Sequence, residues 1–159
     1  MSTPKWLTEF TARVENLRDD AFLYNIRPKA EGSNLTKRGA VLILLHDGVR
    51  GPEVLITLRS EGLRSHSGQP SFPGGAIENS ESAIDAALRE SFEEVGLVRE
   101  SVEVLAQLPE LFIPPSNFHV TPILGFWRDP HPLIPEQSEE VVRAELISFD
   151  DLANPANRI

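Results

Sequence analysis

The chain has no cysteine among its 159 residues. This absence excludes a disulfide framework, a thiolate nucleophile, and a zinc or iron–sulfur site with cysteine ligands. A metal ion in this chain therefore has to be bound by oxygen or imidazole ligands. The length is sufficient to bury a hydrophobic core without cross-links, so we expect a single domain over residues 1–159.

Long apolar segments and blocks of basic residues are also missing. No apolar run approaches the length of a membrane span, and the first 17 residues mix apolar with charged side chains, unlike a signal peptide. We therefore expect a cytoplasmic protein that does not enter a membrane. Acidic residues outnumber basic ones by 24 to 15, giving a net charge of −9, so binding to nucleic acid is not expected. An anionic substrate would need divalent cations or well-placed arginines to offset this charge.

The order of apolar and polar residues predicts both helices and strands. Between about residues 3 and 18 the apolar residues recur at helical spacing, which predicts an amphipathic N-terminal helix. The apolar runs Ala40–Leu45 and Glu53–Leu58 predict two buried strands joined by a hairpin. Residues 59–75, rich in Ser, Gly, Pro and Arg, indicate a long loop, and long loops in compact domains are often functional.

The clearest predicted element is a helix that begins near Asn79 or Ser80 and ends near Gly96. Its apolar stripe predicts a buried face formed by Ile84, Leu88, Ser91 and Val95. Further strands are expected at Val102–Leu108, His119–Trp127 and Val141–Phe149. Together these elements predict an α+β domain in which a sheet and helices share one core.

Three glutamates and one arginine lie close together on this helix: Arg89, Glu90, Glu93 and Glu94. Because an α-helix turns by roughly 100° per residue, Glu90 and Glu94 share one flank, and Glu93 lies beside it, four residues after Arg89. Clustered carboxylates are unfavourable unless cations neutralise them, and such hard oxygen ligands suit Mg²⁺ or Mn²⁺. For any single glutamate a solvated acidic face is the more common role. The cluster as a whole indicates a divalent-metal site for phosphate chemistry.

A glycine turn precedes the helix and completes a fixed spacing: Gly75, Glu81, Arg89-Glu90, Glu93-Glu94 and Gly96-Leu97. This spacing resembles the box of the Nudix hydrolases, which hydrolyse nucleoside diphosphates linked to another moiety. The resemblance implies a Nudix-type α/β/α sandwich with a mixed sheet, and a pyrophosphohydrolase that requires Mg²⁺ or Mn²⁺. Such folds commonly close with a further helix, so whether a C-terminal segment beyond Ile159 is lacking stays open.

The resemblance also implies a role for each matching residue. Glu90 and Glu94 would bind the metal most directly, Glu93 would assist, and Arg89 would orient a glutamate. The backbone around Gly75 would add a carbonyl ligand, since glycine lets a backbone approach a ligand closely. One position departs from the box: an aliphatic residue is usual where Ser91 stands, and we expect a packing adjustment there.

A second signature stands immediately before the box. The segment Leu55–Ser60, followed by Arg64, Gly68 and Phe72–Gly75, is similar to the motif that precedes the box in coenzyme A pyrophosphatases of the Nudix family. The resemblance implies hydrolysis of coenzyme A, or of its derivatives, to adenosine 3′,5′-bisphosphate and 4′-phosphopantetheine. Its arginines can fork onto phosphate oxygens and its other polar residues can donate hydrogen bonds, so the predicted substrate contacts are Arg59, Arg64, His66 and Gln69.

Several features stay open at this point. The general base could be Glu140 or its neighbour Glu139, with Glu110 a weaker candidate. Residues 111–113 could line a pantetheine pocket, but core packing suits them equally well. The alternative functions are hydrolysis of ADP-ribose, a dinucleotide or an oxidised nucleoside triphosphate, and a non-catalytic Nudix ligand-binding module. The expected partner is a small nucleotide substrate, and the resemblance implies a monomer or a homodimer.

Overall fold

The structure is a computed structural model that describes residues 2–16, 37–59, 68–113, 117–135 and 141–157. Three helices lie in these ranges: α1 (Lys5–Asn16), α2 (Ala83–Val95) and α3 (Phe149–Ala153). The strands are β1 (Lys37–Gly48), β2 (Gly51–Arg59), β3 (Pro70–Ser71), β4 (Gly74–Ala76), β5 (Val102–Gln107), β6 (Leu111–Ile113), β7 (Phe118–Trp127) and β8 (Val141–Ser148). Within the same ranges, none of the helices has the length and apolar character needed to span a bilayer.

The eight strands form one mixed sheet whose main path has the order β3-β2-β1-β7-β5. β1 and β2 are an antiparallel hairpin in which Leu45 pairs with Val54. β1 runs parallel to β7, and β7 pairs antiparallel with β5 and β6. β8 pairs antiparallel with β2 on the edge that faces away from β1. The expected mixed sheet is therefore confirmed.

β1 and β2 diverge away from their connecting turn, and the segment Pro70–Ala76 fills the gap between them. β3 pairs with β2 on the same edge as β1, and Thr57 Oγ1 donates a hydrogen bond to the Ser71 carbonyl at 3.0 Å. β4 pairs with β1 on the edge opposite to β7, with Ala40 beside Gly75. The two short strands satisfy backbone groups that the divergence would otherwise leave unpaired. The prediction of a loop throughout residues 59–75 is therefore wrong for its last part.

Alternate residues of β1 contribute to two cores, one on each face of the sheet. On one face Leu42 packs with Leu88 of α2 in a cluster of fully or almost fully buried side chains. On the other face Leu45 packs with Leu7 and Val14 of α1. The sheet is thus covered by α2 on one side and by α1 on the other, which is the α/β/α sandwich that the sequence implied.

The boundaries of two elements differ from the prediction, and one strand was not predicted. Helix α2 begins at Ala83 because Ser82, and not a residue near position 80, is its N-cap. The strand predicted to continue through Phe149 ends one residue earlier, because Ser148 accepts a hydrogen bond from the Asp151 N–H and starts α3. Residues 111–113, for which no strand was predicted, form strand β6 and pair with the first residues of β7. The remaining helix and strand predictions agree with the structure to within a few residues.

Candidate active site

Helix α2 presents the charged residues of the candidate site, and both of its ends are capped. The Ser82 side chain accepts a hydrogen bond from the Asp85 N–H at 3.0 Å, which satisfies one of the free donors of the first turn. At the other end Gly96 adopts the left-handed conformation, with φ 73°, that terminates many helices. The caps fix the extent of the helix, and its buried stripe fixes its rotation. Glu90 and Glu94 consequently lie on the flank next to β4.

The carboxylate of Glu90 packs against the backbone of Gly75. A Cβ atom at position 75 would lie 2.5 Å from the Glu90 carboxyl carbon, so only glycine leaves room for the carboxylate. The Glu90 side chain is 18% exposed. Its burial raises the pKa of the carboxyl above the usual value near 4.5, although the hydrogen bond from Arg89 opposes this shift. A cation placed beside Glu90 would stabilise the charged form.

Glu94 contacts the glycine turn at the neighbouring residue. Its Oε2 accepts a hydrogen bond from the Gly74 N–H at 3.0 Å. Two hydrogen bonds join β1 to the chain on either side of Gly75. The Leu42 N–H donates to the Pro73 carbonyl at 2.8 Å, and the Ile77 N–H donates to the Arg38 carbonyl at 2.9 Å. Because every second residue pair of an antiparallel ladder is hydrogen-bonded, the pair Ala40–Gly75 between them is also hydrogen-bonded, and the carbonyl of Gly75 is directed at β1. The N–H of Gly74 faces the other way and donates to Glu94. The same alternation turns the carbonyl of Gly74 away from β1.

Arg89 connects the helix to β4 and to several carboxylates. Its Nε donates to Glu81 at 2.9 Å, its Nη1 to Glu90 at 3.0 Å, and its Nη2 to the Ala76 carbonyl at 3.0 Å. The contact with Glu93, expected from the spacing, is present but longer, at 3.4 Å. The hydrogen bond with Glu81 is the main reason that the pKa of Arg89 is raised and that of Glu81 is lowered. Arg89 therefore restrains the side chains of Glu81 and Glu90 more closely than that of Glu93.

A cavity of about 470 Å³ is bounded by α2 and by strands β1, β4 and β7. Both Glu90 and Glu94 line it, together with the Gly74-Gly75 turn. The cavity is also lined by Phe72, which belongs to the second signature, and by residues to which the sequence assigned no role, among them Gly39, Ser71, Phe118 and Val120. Ser71 and Phe72 lie in or beside the second signature, which is the only sequence signal that could have indicated them.

The NUDIX domain model matches residues 36–159, which is most of the chain and contains the whole cavity. The chain belongs to the Nudix family. The spacing from Gly75 to Leu97 that resembles the Nudix box lies within the matched residues. In the structure the box consists of strand β4, the turn that follows it and helix α2.

Known Nudix proteins resemble this chain over part of their length. "Uncharacterized Nudix hydrolase NudL" of Citrobacter koseri is 44% identical over 101 residues, covering 63% of this chain and 52% of that protein. "Nudix hydrolase 3" of Caenorhabditis elegans is 41% identical over 105 residues, covering 65% of this chain and 44% of that protein. The chain thus spans about half the length of these two relatives. The crystal structure of the M. smegmatis Nudix hydrolase RenU has a TM-score of 0.63 at 22% identity and 74% coverage of each chain, which shows the shared fold.

Ser91 occupies the box position at which an aliphatic residue is usual. The side chain is fully buried, and its Oγ donates a hydrogen bond to the Ala87 carbonyl at 2.7 Å. The hydroxyl is therefore satisfied by the helix itself and needs no partner from the sheet. The site loses no metal ligand at this position, and the departure from the box is a matter of packing.

The residues around the glycine turn fit a divalent cation in the chemistry of their donors. Glu90 and Glu94 supply carboxylate oxygens at one cavity wall, and the close packing of Glu90 on Gly75 brings a backbone next to a carboxylate. Glu93 has a side chain that is 54% exposed, and it is not among the described residues that line the cavity. In the described part of the chain, no three His, Asp or Glu side chains are grouped closely enough to form a metal site by themselves. The pair Glu90–Glu94 would therefore depend on backbone, water or substrate oxygens for the remaining ligands.

Two of the four predicted substrate contacts, and both of the favoured candidates for the general base, lie outside the described residues. These are Arg64, His66, Glu139 and Glu140. Arg59 is the last residue of β2, and only its backbone is described. Gln69 is exposed and immediately precedes β3. The structure thus brings together the residues of the box but leaves those of the second signature and the base as predictions.

The weaker base candidate, Glu110, is engaged elsewhere. Its Oε1 lies 3.1 Å from His119 Nδ1, and its Oε2 lies 3.5 Å from Arg38 Nε. Glu110 is also not among the described residues that line the cavity. Both observations argue against Glu110 as the group that activates a water at this site.

Proposed function

We propose that this chain catalyses a cytoplasmic, divalent-metal-dependent hydrolysis of the pyrophosphate bond of coenzyme A or its derivatives. The products are adenosine 3′,5′-bisphosphate and 4′-phosphopantetheine. The observation that carries the proposal is the presence of Glu90 and Glu94 in one cavity with the Gly74-Gly75 backbone. The signature between Leu55 and Phe72, directly before the box, favours coenzyme A over other nucleotide substrates.

In this proposal Glu90 and Glu94 hold Mg²⁺ or Mn²⁺ through their carboxylate oxygens. Gly75 was the expected carbonyl donor, but its carbonyl is directed at β1, so the alternation of the ladder favours the carbonyl of Gly74. When bound, the ion polarises phosphoryl oxygens and lowers the pKa of an attacking water. Arg89 keeps Glu90 in place through the 3.0 Å hydrogen bond, and Glu93 assists from its exposed position.

The reaction exchanges one bond at phosphorus. A water oxygen forms a bond to one phosphorus, the bond from that phosphorus to the bridging oxygen breaks, and the bridging oxygen leaves on the other phosphate. A base has to accept the proton of the water, and we assign this role to Glu140, or to Glu139 beside it. Both precede β8, whose first residue, Val141, pairs with Arg59 at the end of β2, where the loop of the second signature begins.

The substrate is recognised by the loop that follows β2. Arg59 and Arg64 bind phosphate oxygens in a bidentate manner, and His66 and Gln69 donate hydrogen bonds. Coenzyme A carries a 3′-phosphate besides its pyrophosphate, so two arginines have separate phosphates to contact. These cations also offset the net charge of −9, which would otherwise repel the substrate.

A product assay tests the proposal. The protein is incubated with coenzyme A, ADP-ribose, a diadenosine polyphosphate or an oxidised nucleoside triphosphate, each with Mg²⁺ or Mn²⁺, and products are separated by chromatography. We expect kcat/KM for the release of adenosine 3′,5′-bisphosphate to exceed that for the other substrates by at least about tenfold. A higher kcat/KM with one of the others would replace coenzyme A as substrate, and no turnover of any would favour a ligand-binding module.

A further inference from the structure

A second cavity, of about 520 Å³, lies beside the catalytic cavity on the outer part of the sheet. Its wall is mostly apolar and is formed by β2, β3, β8 and α3. The apolar side chains that line it are Ile56, Leu58, Pro70, Phe72, Ile147 and Leu152. We call this cavity the β8 groove. Its volume is in the range of cavities that bind small organic molecules.

The β8 groove adjoins the catalytic cavity, with which it shares two lining residues. Ser71 and Phe72 line both cavities, so the β3 segment is the wall between them. Ser71 is held in place by two contacts from Thr57 Oγ1, each of 3.0 Å, to its carbonyl and to its hydroxyl. A ligand that extends from the Glu90–Glu94 end of the catalytic cavity past Phe72 would therefore enter the β8 groove.

The charges of the groove indicate what kind of group it can accept. Arg143 and Glu145 are the charged residues in the described lining, and they form an ion pair with each other at 2.6 Å. Their charges cancel, so the described lining of the groove offers no net cation for a second nucleotide phosphate. An uncharged, partly apolar chain is favoured instead, because it loses little hydration on entering an apolar groove.

We propose that the β8 groove binds the uncharged arm of the substrate, namely the pantetheine chain and a thioester-linked acyl group at its end. This inference rests on the proposed function, because it places the pyrophosphate of the same substrate at Glu90 and Glu94. It assigns the preference for an extended apolar arm to Ile147 and Leu152. It also gives residues 111–113, which form strand β6 beside β7, no part in binding this arm.

The test is a kinetic series with coenzyme A and its S-acyl derivatives of two, six and ten carbons. With the wild-type chain we expect KM to fall as the acyl chain lengthens, by up to about fourfold for each methylene that becomes buried. Leu152→Asp places a carboxylate in the groove from a residue that is 49% exposed, so the variant should fold. It should raise KM for the ten-carbon derivative by on the order of tenfold, and by clearly more than it raises KM for coenzyme A, which lacks the acyl group.

The matched control is Ile134→Asp, because Ile134 is 73% exposed and is not among the described residues of either cavity. It should change none of these constants. A KM that is independent of acyl length in the wild-type chain would overturn the inference. An equal effect of Leu152→Asp and Ile134→Asp on the ten-carbon derivative would overturn it as well.

A binding measurement separates failure of this inference from failure of the proposed function. S-decanoyl pantetheine, which has no phosphate or adenine, is titrated into the wild-type chain and into the Leu152→Asp variant by calorimetry. Binding that weakens at least about fivefold in the variant supports the groove even if coenzyme A is not hydrolysed. Hydrolysis of coenzyme A without detectable binding of S-decanoyl pantetheine would leave the proposed function intact and reject the groove as the site of the apolar arm.

Discussion

The Glu94 carboxylate accepts a hydrogen bond from the backbone N–H of Gly74 at 3.0 Å. These two residues are 20 positions apart and belong to helix α2 and strand β4. The contact links the helix that carries the carboxylates to the glycine turn that faces them across the cavity. A change at either residue is therefore expected to alter the geometry of the whole site.

The first prediction concerns the charge of Glu94. The variant Glu94→Gln retains an oxygen that can accept the hydrogen bond from Gly74 but loses the negative charge that a divalent cation needs. We expect kcat with Mg²⁺ to fall at least about 100-fold, while the melting temperature stays within about 4 °C of the wild-type value. Product chromatography and thermal unfolding by circular dichroism measure the two quantities.

Glu100→Gln, at an exposed carboxylate in a 3-10 turn, is the control and should change neither kcat nor the melting temperature. Wild-type turnover by Glu94→Gln would refute the metal role of Glu94.

The second prediction concerns the absence of a side chain at Gly75. In Gly75→Ala the new methyl group would lie 2.5 Å from the carboxyl carbon of Glu90, so the carboxylate has to move away from the cavity wall. We expect the apparent Kd for Mn²⁺ to rise by about tenfold or more and kcat to fall. The metal affinity is measured by electron paramagnetic resonance.

Gly48→Ala is a matched control for this collision. A methyl group at Gly48, the last residue of β1, would lie 2.3 Å from the carboxyl carbon of Glu53 in β2. Neither residue is among the described lining of the catalytic cavity. Gly48→Ala should therefore leave the Mn²⁺ affinity and kcat unchanged. Similar losses of Mn²⁺ affinity in both variants would mean that the effect of Gly75→Ala is a general loss of stability.

Helical periodicity explains why much of the site could be predicted from the sequence. It places Glu90 and Glu94 on one flank of α2 and buries Ser91 and Val95 on the adjacent face, as the structure has them. The strands of the β1–β2 hairpin were predictable for a similar reason, because two apolar runs separated by Asp-Gly rarely adopt a structure other than a hairpin. In both cases the deciding information lies within a few neighbouring residues.

Long-range pairing explains what could not be predicted. β3 and β4 form because β1 diverges from β2 and leaves two strand edges to be paired. The local sequence of Pro70–Ala76 carries no signal for this pairing. Likewise, Gly39 and Phe118 reach the same cavity through the parallel register of β1 and β7. The ring atoms of Phe118 lie 3.3 Å from where a Cβ atom of Gly39 would be, so a larger residue at position 39 would crowd the cavity wall.

The third prediction concerns the pH dependence of stability. The folded-state pKa of Glu90 is raised by burial, so the stability that this group contributes is fully present below its unfolded pKa, near 4.5. That contribution is lost as the pH rises through the folded pKa. Between about pH 4 and about pH 8, metal-free wild-type protein should therefore lose free energy of unfolding relative to Glu90→Gln. Urea unfolding at several pH values measures this difference.

Two further measurements distinguish this explanation from others. The pKa of Glu81 is lowered by its hydrogen bond with Arg89, so stability from Glu81 is present above its unfolded pKa and is lost as the pH falls. Glu81→Gln should therefore change the pH dependence with the opposite sign to Glu90→Gln. Mg²⁺ should raise the melting temperature more at the alkaline end, because the ion binds the ionised carboxylate of Glu90. The same sign for both variants would contradict the assignment.

The fourth prediction concerns Ser91, the residue that departs from the Nudix box. Ser91→Ala removes a hydroxyl that is bonded to the Ala87 carbonyl, which also accepts the helical N–H of residue 91, so no buried group is left unpaired. The change in free energy of unfolding should be less than about 1 kcal/mol.

Ser91→Leu restores the usual aliphatic character but inserts three more carbon atoms at a position with 0% exposure, and should destabilise the fold by about 1–3 kcal/mol. Urea midpoints measure both values, and kcat of Ser91→Ala should equal that of the wild type. If Ser91→Leu instead stabilised the fold, the core around α2 would have unfilled space next to Ser91. The neighbouring side chains would then not have packed closer to fill the volume that an aliphatic residue usually occupies.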